Sequence, residues 1–299
     1  MNLKKTNFIL VSAVIMATTF SACREDSKTE EADDIGVADT SVIGLNQKAE
    51  TFYQVPSPGE MLSFIKQVGG KTNKNVSFLN KVENQKQYTD LKLKALNFGI
   101  YSCDLSYCSV FEIGTEALKY FKSLKEIGDQ IGVSSAIKPE NLKRLQDNIG
   151  NSDSLAIITD ELYFSSFETL EGSKQGPTLS LVVAGGWIES LFIVTSLAKY
   201  DTKSVIVERV CDQKYTLDNL VEFLRKYKAD ESTAAVLVKF EELQAEFSKI
   251  EERDADSLAV KDKTKHFLSG GKNLIATADQ YKHLVDKIRI LRNSFTLTK

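Results

Sequence analysis

The chain has 299 residues, 42% of them hydrophobic, and a formal net charge of −3 from 38 basic and 41 acidic side chains. This mildly acidic balance, without a basic block along the chain, argues against nucleic acid as a partner. The 4 prolines and 16 glycines are too few turn residues for an all-β protein, and 4 cysteines are too few for a small disulfide-stapled scaffold.

The first 22 residues have the pattern of a secretory signal peptide. Two lysines are followed by a mostly apolar run at residues 8–17 and by the small residues Ser21 and Ala22. The apolar run is too short to span a bilayer, where ~20 residues are needed. We therefore predict a signal peptide over residues 1–22.

Cys23 directly follows this Ser-Ala pair, and the junction resembles the bacterial lipobox, with Phe20 where leucine is commoner. In a lipobox the thiol is alkylated by a lipid before cleavage, so the cysteine becomes the first residue of the mature chain. The following Arg24-Glu25-Asp26 resembles the surface-export signal of Bacteroidota lipoproteins. We predict lipidation at Cys23 and a bacterial outer-membrane location, on the cell surface rather than the periplasmic face. The alternative is a plain signal peptide followed by a solvated linker.

Residues 23–50 are acidic and poor in large apolar side chains, a composition typical of disordered segments. We expect the acylated Cys23 to bind the lipid bilayer and the rest of this segment to be a tether. At ~5–6 Å times the square root of its length, the tether holds the domain about 30 Å from the lipid. Residues 51–299 then form the globular domain.

Residues 51–299 are predicted to be all-α, with about ten helices in one bundle-like or irregular helical-repeat domain. Pro58, Pro139 and Pro177 each suit the first turn of a helix, and Ser57 can cap the first of these. Apolar residues recur at helical spacing in four stripes: Leu118, Phe121, Leu124, Ile127 and Ile131; Leu155, Ile158, Leu162, Phe164 and Phe167; Leu217, Leu220, Val221, Leu224 and Tyr227; Leu274, Tyr281, Leu284, Ile288 and Leu291. The stretches LSLVVAGG and SVIVERV are predicted helical because each continues into longer periodic sequence, with a small sheet there as the alternative.

Two predicted helices, LKLKALNFGIYSCDLSYCSVF and LSLVVAGGWIESLFIVTSLAKY, are apolar on nearly every side. A helix without a polar face is buried, so we place both at the centre of the fold. The second is interpreted as a core helix rather than a membrane span because Glu189 lies in its middle. Gly99 and Gly185 each cost ~1 kcal/mol in a helix, which is tolerable where another helix packs against bare backbone. We predict close contacts at both glycines.

Asp104 and Glu189 interrupt these apolar helices and are the candidate buried polar residues. An unpaired carboxylate in an apolar environment is costly, so each needs a partner. A structural role predicts hydrogen bonds to tyrosine hydroxyls or backbone amides. A functional role predicts a ligand contact or an acid/base pair in a buried pocket.

The two histidines, His266 and His283, each follow an aspartate by four residues, but Gly270-Gly271 separates them. Folded back at the glycines, they would miss each other by ~12 Å along the helix axes. The chain also has no Glu-x-x-His pair, no Gly-x-Ser-x-Gly elbow and no phosphate-binding loop. We therefore predict no metal site and no cofactor.

Cys103 and Cys108 are five residues apart, so on one helix their side chains diverge by ~140° and lie beyond disulfide reach. We interpret both as small core residues. Pairing of either one with Cys211 stays open.

The segments YQVPSPGEMLSFIK and ALNFGIYSCDLSY resemble a group of uncharacterised, largely helical Bacteroidota lipoproteins. In that group a Tyr-x-x-Pro-Ser-Pro-x-Glu segment precedes a Gly-x-Tyr-x-x-Asp-Leu helix. The matching residues here are Tyr53, Pro56, Ser57, Pro58 and Glu60, then Gly99, Tyr101, Asp104 and Leu105. The resemblance covers the first third of the mature chain and implies no activity, substrate or catalytic residue.

From the sequence we expect a membrane-anchored lipoprotein that acts as a binding or scaffold module in the bacterial envelope, with an envelope protein as a candidate partner. The alternative is an envelope hydrolase or transferase that uses Asp104 and Glu189. A pocket that both acids face favours the enzyme. A packed core in which tyrosines bond to the acids favours the module.

Overall fold

Nine α-helices, one 3-10 helix and a two-stranded hairpin form the part of the chain that this computed structural model describes, residues 56–69, 74–254 and 272–297. In chain order these are α1 (Pro58–Gly69), the 3-10 helix (Val82–Gln87), α2 (Leu91–Val110), α3 (Gly114–Ile131), α4 (Pro139–Asp147), α5 (Ser152–Gly172), α6 (Gly176–Leu197), α7 (Val205–Lys226), α8 (Glu231–Phe247), β1 (Glu251–Asp254), β2 (Lys272–Ile275) and α9 (Ala278–Thr296). The prediction of an all-α domain with about ten helices is confirmed. The predicted signal peptide, lipidation site, export motif and tether lie outside the described residues.

The predicted helix starts are found at the prolines. Pro58 begins α1, and the Ser57 hydroxyl accepts a hydrogen bond from the Glu60 amide at 3.2 Å. Pro139 and Pro177 lie in the first turns of α4 and α6. The two stretches predicted to be helical, with a small sheet as the alternative, are helical: LSLVVAGG lies within α6, and Ser204 of SVIVERV caps α7, which begins at Val205.

Two residues of the predicted apolar stripes, Leu274 and Phe164, do not lie on the buried helix faces predicted for them. Leu274 is buried in β2, where it pairs with Glu252 of β1, and α9 begins only at Ala278. The strands read EERD and KNLI, which are too short and too polar to give an alternating apolar signal. Phe164 is 46% exposed because, nine residues after Leu155 at 100° per residue, it lies on the opposite side of α5.

Helices α2 and α6 occupy the centre of the fold. Every residue of α2 from Ala95 to Val110 is buried, as is nearly all of α6 up to Thr195. The two helices pack on each other, with α1, α3, α5 and α9 also against α2, and α1, α5, α7, α8 and α9 also against α6. Among the described helices, α6 is long and apolar enough to cross a membrane, and 94% of that segment is buried inside the fold.

The two central helices touch at Gly99 and Gly185. A Cβ atom on Gly99 would collide with the carbonyl oxygen of Val182 and would lie 2.6 Å from the amide nitrogen of Gly186. A Cβ atom on Gly185 would collide with the carbonyl oxygen of Leu96. Only glycine fits at either position, because the opposing atoms belong to helix backbone. The predicted close contacts at both glycines are confirmed.

Candidate functional site

The structure brings Asp104 of α2 and Glu189 of α6 together in the core, where each is 0% exposed. Arg292 of α9 joins them and is 6% exposed. No other acidic or basic side chain in the described part of the chain is buried. We call the three residues the buried ionic cluster.

Arg292 and Glu189 form a two-pronged ion pair. Nε of Arg292 donates to Oε2 of Glu189 at 2.7 Å, and Nη2 donates to Oε1 at 2.8 Å. The guanidinium carbon also lies 4.4 Å from the centre of the Phe192 ring, within cation–π range. Burial by itself would lower the pKa of Arg292, but the Glu189 carboxylate raises it above its ordinary value. The pair is therefore ionised and holds α9 against α6.

Neither carboxyl oxygen of Asp104 accepts a hydrogen bond of regular geometry from the residues that the structure describes, although the backbone of Asn80 is close enough to lower its pKa. Of the two partners predicted for a structural Asp104, the tyrosine hydroxyl is wrong, whereas the backbone amide has a counterpart in Asn80, whose backbone lowers the pKa of Asp104. The hydroxyl of Tyr101 donates to the carbonyl of Lys81 at 2.8 Å, and that of Tyr107 donates to the carbonyl of Asn75 at 3.0 Å. Glu189 likewise bonds to an arginine and not to a tyrosine.

The surroundings of Asp104 favour its neutral form. Burial raises its pKa well above the ordinary value, and the Glu189 carboxylate beside it raises the pKa further. Arg292 acts in the opposite direction but is already held by Glu189. Burial raises the pKa of Tyr120 as well. The site is thus suited to holding a proton, and it is closed to a dissolved substrate.

A network of buried amides and a tyrosine lies between the start of α2 and the end of α9. The side-chain nitrogen of Asn97 donates to the carbonyl of Phe295 at 2.9 Å, and the Tyr88 hydroxyl donates to the carbonyl of Thr296 at 3.2 Å. Asn80 donates to both Tyr88 and Asn97 at 3.0 Å. The last carbonyls of a helix have no partner within the helix, so these donors fix the end of α9.

Arg292 was not predicted from the sequence, although a signal for it was present. Arg292 follows Ile288 by four residues and therefore lies on the same face as the apolar stripe of α9. A charged side chain on a helix face that is otherwise buried needs a partner of the opposite charge on a neighbouring element. Glu189, an acidic residue within an apolar helix, was the candidate for that opposite charge.

A half-buried acid, Asp160 of α5, lies against the first turn of α1 and was also missed. The Ser57 hydroxyl donates to its Oδ1 at 3.2 Å, and a Cβ atom on Gly59 would collide with that oxygen. Burial raises the pKa of Asp160 to about 6, with Ser57 lowering it and Glu60 raising it. Asp160 is therefore a group that titrates near neutral pH.

The three described cysteines are free and buried. The interpretation of Cys103 and Cys108 as core residues is confirmed, and Cys211 pairs with neither. His283 is exposed and lies 3.3 Å from Glu246 of α8, while His266 lies outside the described residues. Within residues 56–69, 74–254 and 272–297, no group of three His, Cys, Asp or Glu side chains is placed to hold a metal ion.

A shallow surface groove of about 160 Å³ lies between the start of α2 and the helices α8 and α9. It is lined by Lys92, Leu93, Ala235, Val236, Lys239, Ser294 and Phe295. No member of the buried ionic cluster lines it, so the groove and the cluster are separate features.

Comparison of the chain with protein-family models, curated proteins and solved structures gave no match.

Proposed function

We propose that this chain is a lipid-anchored lipoprotein of the bacterial envelope that acts as a binding or scaffold module. The observation that carries the proposal is the junction Ser21-Ala22-Cys23, which ends a short apolar signal sequence. Acyl chains contribute ~0.8 kcal/mol for each buried CH₂ group, so more than one chain gives stable anchoring. The lipid bilayer is then the first partner of the protein.

The residues after the cysteine support a surface location. Arg24, Glu25 and Asp26 place one basic and two acidic side chains directly beside the lipid anchor. We propose that the protein is carried to the outer face of the outer membrane, where its domain is available to another envelope protein. Nucleic acid is not among the proposed partners.

The position of the two central acids supports a module rather than a hydrolase or transferase. A general acid or base must come within hydrogen-bond reach of its substrate, about 2.6–3.2 Å. Asp104 and Glu189 are 0% exposed, and both oxygens of Glu189 are already bonded to Arg292. Their arrangement fits a role inside the fold.

Metabolic labelling with an alkyne fatty acid tests the anchor. Wild-type protein should carry the label and fractionate with membranes, whereas Cys23→Ala should lose both the label and the membrane association. Cys211→Ala is the control, because it removes a buried thiol from the domain and should leave labelling unchanged. Labelling that persists in Cys23→Ala contradicts the proposal.

Protease treatment of whole cells tests the surface location. Wild-type protein should be digested, and replacement of Arg24, Glu25 and Asp26 by alanine should protect it while labelling at Cys23 continues. A wild-type protein that resists protease on whole cells, but is cut after lysis, contradicts the surface assignment and leaves the anchor intact.

A further inference from the structure

The charges of the buried ionic cluster do not balance if both acids are ionised. Asp104 and Glu189 would carry two negative charges, and Arg292 is the one buried cationic side chain in the described part of the chain. An uncompensated charge in a protein interior is strongly unfavourable, and such a group commonly neutralises by binding or releasing a proton. One proton in the cluster makes it electrically neutral.

The geometry indicates where that proton lies. Both oxygens of Glu189 receive N–H groups of Arg292, which identifies Glu189 as the ionised acid. The oxygens of Asp104 accept no regular hydrogen bond from the described residues, and Arg292 and the backbone of Asn80 favour its ionised form less than burial and Glu189 favour its neutral form. A protonated Asp104 has an O–H group to donate, and a carboxylate oxygen of Glu189 can accept a second bond.

We propose that Asp104 and Glu189 bind one proton between them at neutral pH, and that this proton stabilises the packing of α9 on α2 and α6. The proposal is independent of the lipid anchor.

Among the residues that the structure describes, the groups around the pair supply no second positive charge. Asp104 interacts electrostatically with groups of several elements. These groups are Tyr101, Cys103 and Cys108 of α2, the backbone of Asn80 and the side chain of Tyr88 before α2, Tyr120 of α3, Glu189 of α6 and Arg292 of α9. Burial raises the pKa of each of these tyrosines and cysteines, so they are neutral near pH 7.

Loss of the proton affects the end of α9. Arg292 lies one turn before Phe295 and Thr296, whose carbonyls accept hydrogen bonds from Asn97 and Tyr88. With both acids ionised, either Arg292 must divide its donors between them or water must enter the core. The first change takes Arg292 from one of its present bonds and the second loosens the packing around it, so each weakens the last turns of α9.

Infrared spectroscopy of the whole chain in deuterated buffer tests for the proton. At pH 8 exposed carboxyls are ionised, so a carbonyl band of a protonated carboxyl group should remain in the wild type and disappear in Asp104→Asn. Glu189→Gln should also remove the band, because Arg292 then becomes the partner of an ionised Asp104. Asp160→Asn is the control and should keep the band, since the pKa of Asp160 is about 6.

Each result decides the proposal. A wild type without the band at pH 8, or a band that persists in Asp104→Asn, shows that Asp104 holds no proton. A band that persists in Glu189→Gln shows a proton on Asp104 alone and overturns the sharing. Asparagine is close to the protonated aspartate in shape, so Asp104→Asn should keep the fold. The wild-type spectrum alone decides whether a protonated carboxyl group is present at pH 8.

Hydrogen exchange tests the effect on α9. Between pH 7 and pH 10 the amides of residues 288–296 should lose protection in the wild type faster than in Asp104→Asn at the same pH. Equal protection in the two proteins over the whole range would overturn the role of the proton in holding α9. Amides of α8 in the same samples give the internal reference.

Discussion

Arg292 of α9 donates two parallel hydrogen bonds to Glu189 of α6, a residue 103 positions earlier in the chain. Both side chains are almost fully buried, so the pair joins two helices through the core and not across the surface. Buried ion pairs contribute little net stability relative to apolar replacements of both partners, but removal of one partner leaves a buried charge. The pair therefore fixes which face of α9 meets α6.

Arg292→Met should destabilise the domain by about 3–5 kcal/mol, because the ionised Glu189 is left without a cation. Chemical denaturation of wild type and variant measures the change in the free energy of unfolding. Arg289→Met is the matched control on the same helix, where the exposed pair with Asp286 contributes only about 0–1 kcal/mol. Similar losses in the two variants would place Arg292 at a surface.

Adding Glu189→Leu to Arg292→Met gives a double variant that tests the coupling. The double variant should be more stable than Arg292→Met alone, because it removes the unpaired buried carboxylate. Simple addition of the two single effects would show that the residues do not interact.

Gly99→Ala should lower the thermal midpoint, because its new methyl group meets the backbone of α6 at Val182. Overpacking typically costs 1–3 kcal/mol, and the loss here should reach or exceed this range since helix backbone cannot move aside as a side chain does. Gly172→Ala in α5 is the control, because a Cβ atom there has nothing within 4 Å. A Gly99→Ala protein as stable as the wild type would contradict the observed helix contact.

The parts of the fold that could be predicted from the sequence are those that a single segment specifies by its own residues. Pro58 and Pro177 mark helix starts locally, and Gly99 and Gly185 stand out within apolar helices without knowledge of their partners. The hairpin was not accessible, because EERD and KNLI contain two apolar residues between them and depend on each other for pairing.

The site was accessible only in part. Asp104 and Glu189 were conspicuous because each is a charge in an apolar helix. Their surroundings depend on Arg292, which lies 103 residues from Glu189, and local patterns do not specify such pairings. Asp160 was missed for the same reason, since its contact with Ser57 also spans 103 residues.

Asp160 should make stability depend on pH between about 4 and 6. Its pKa is about 6 in the folded protein and ~3.9 in an unfolded chain, so the folded state binds the proton more tightly. The resulting stabilisation is complete below pH 4 and is lost as pH rises through 6. Asp160→Asn should remove this dependence, measured as denaturation midpoints across the range. A carboxyl titration by carbon NMR that shows an inflection near 4 would contradict the assignment.

Asp104 should impose the same direction of pH dependence at higher pH. Its pKa in the folded protein is raised by burial and by Glu189, so folding takes up a proton whenever the unfolded chain has lost it. The stabilisation from this proton is complete below the unfolded pKa of ~3.9 and is lost as pH rises toward the folded value. The unfolding constant of the wild type should therefore rise by up to about tenfold per pH unit relative to Asp104→Asn. The free energies of unfolding of wild type and Asp104→Asn should differ less at pH 5 than at pH 9, where the asparagine variant should be the more stable protein. Urea denaturation at each pH measures both, with Asp286→Asn on the surface of α9 as the control. Parallel stability curves for wild type and Asp104→Asn would mean that folding does not raise the pKa of Asp104 and would contradict a proton held there in the folded protein.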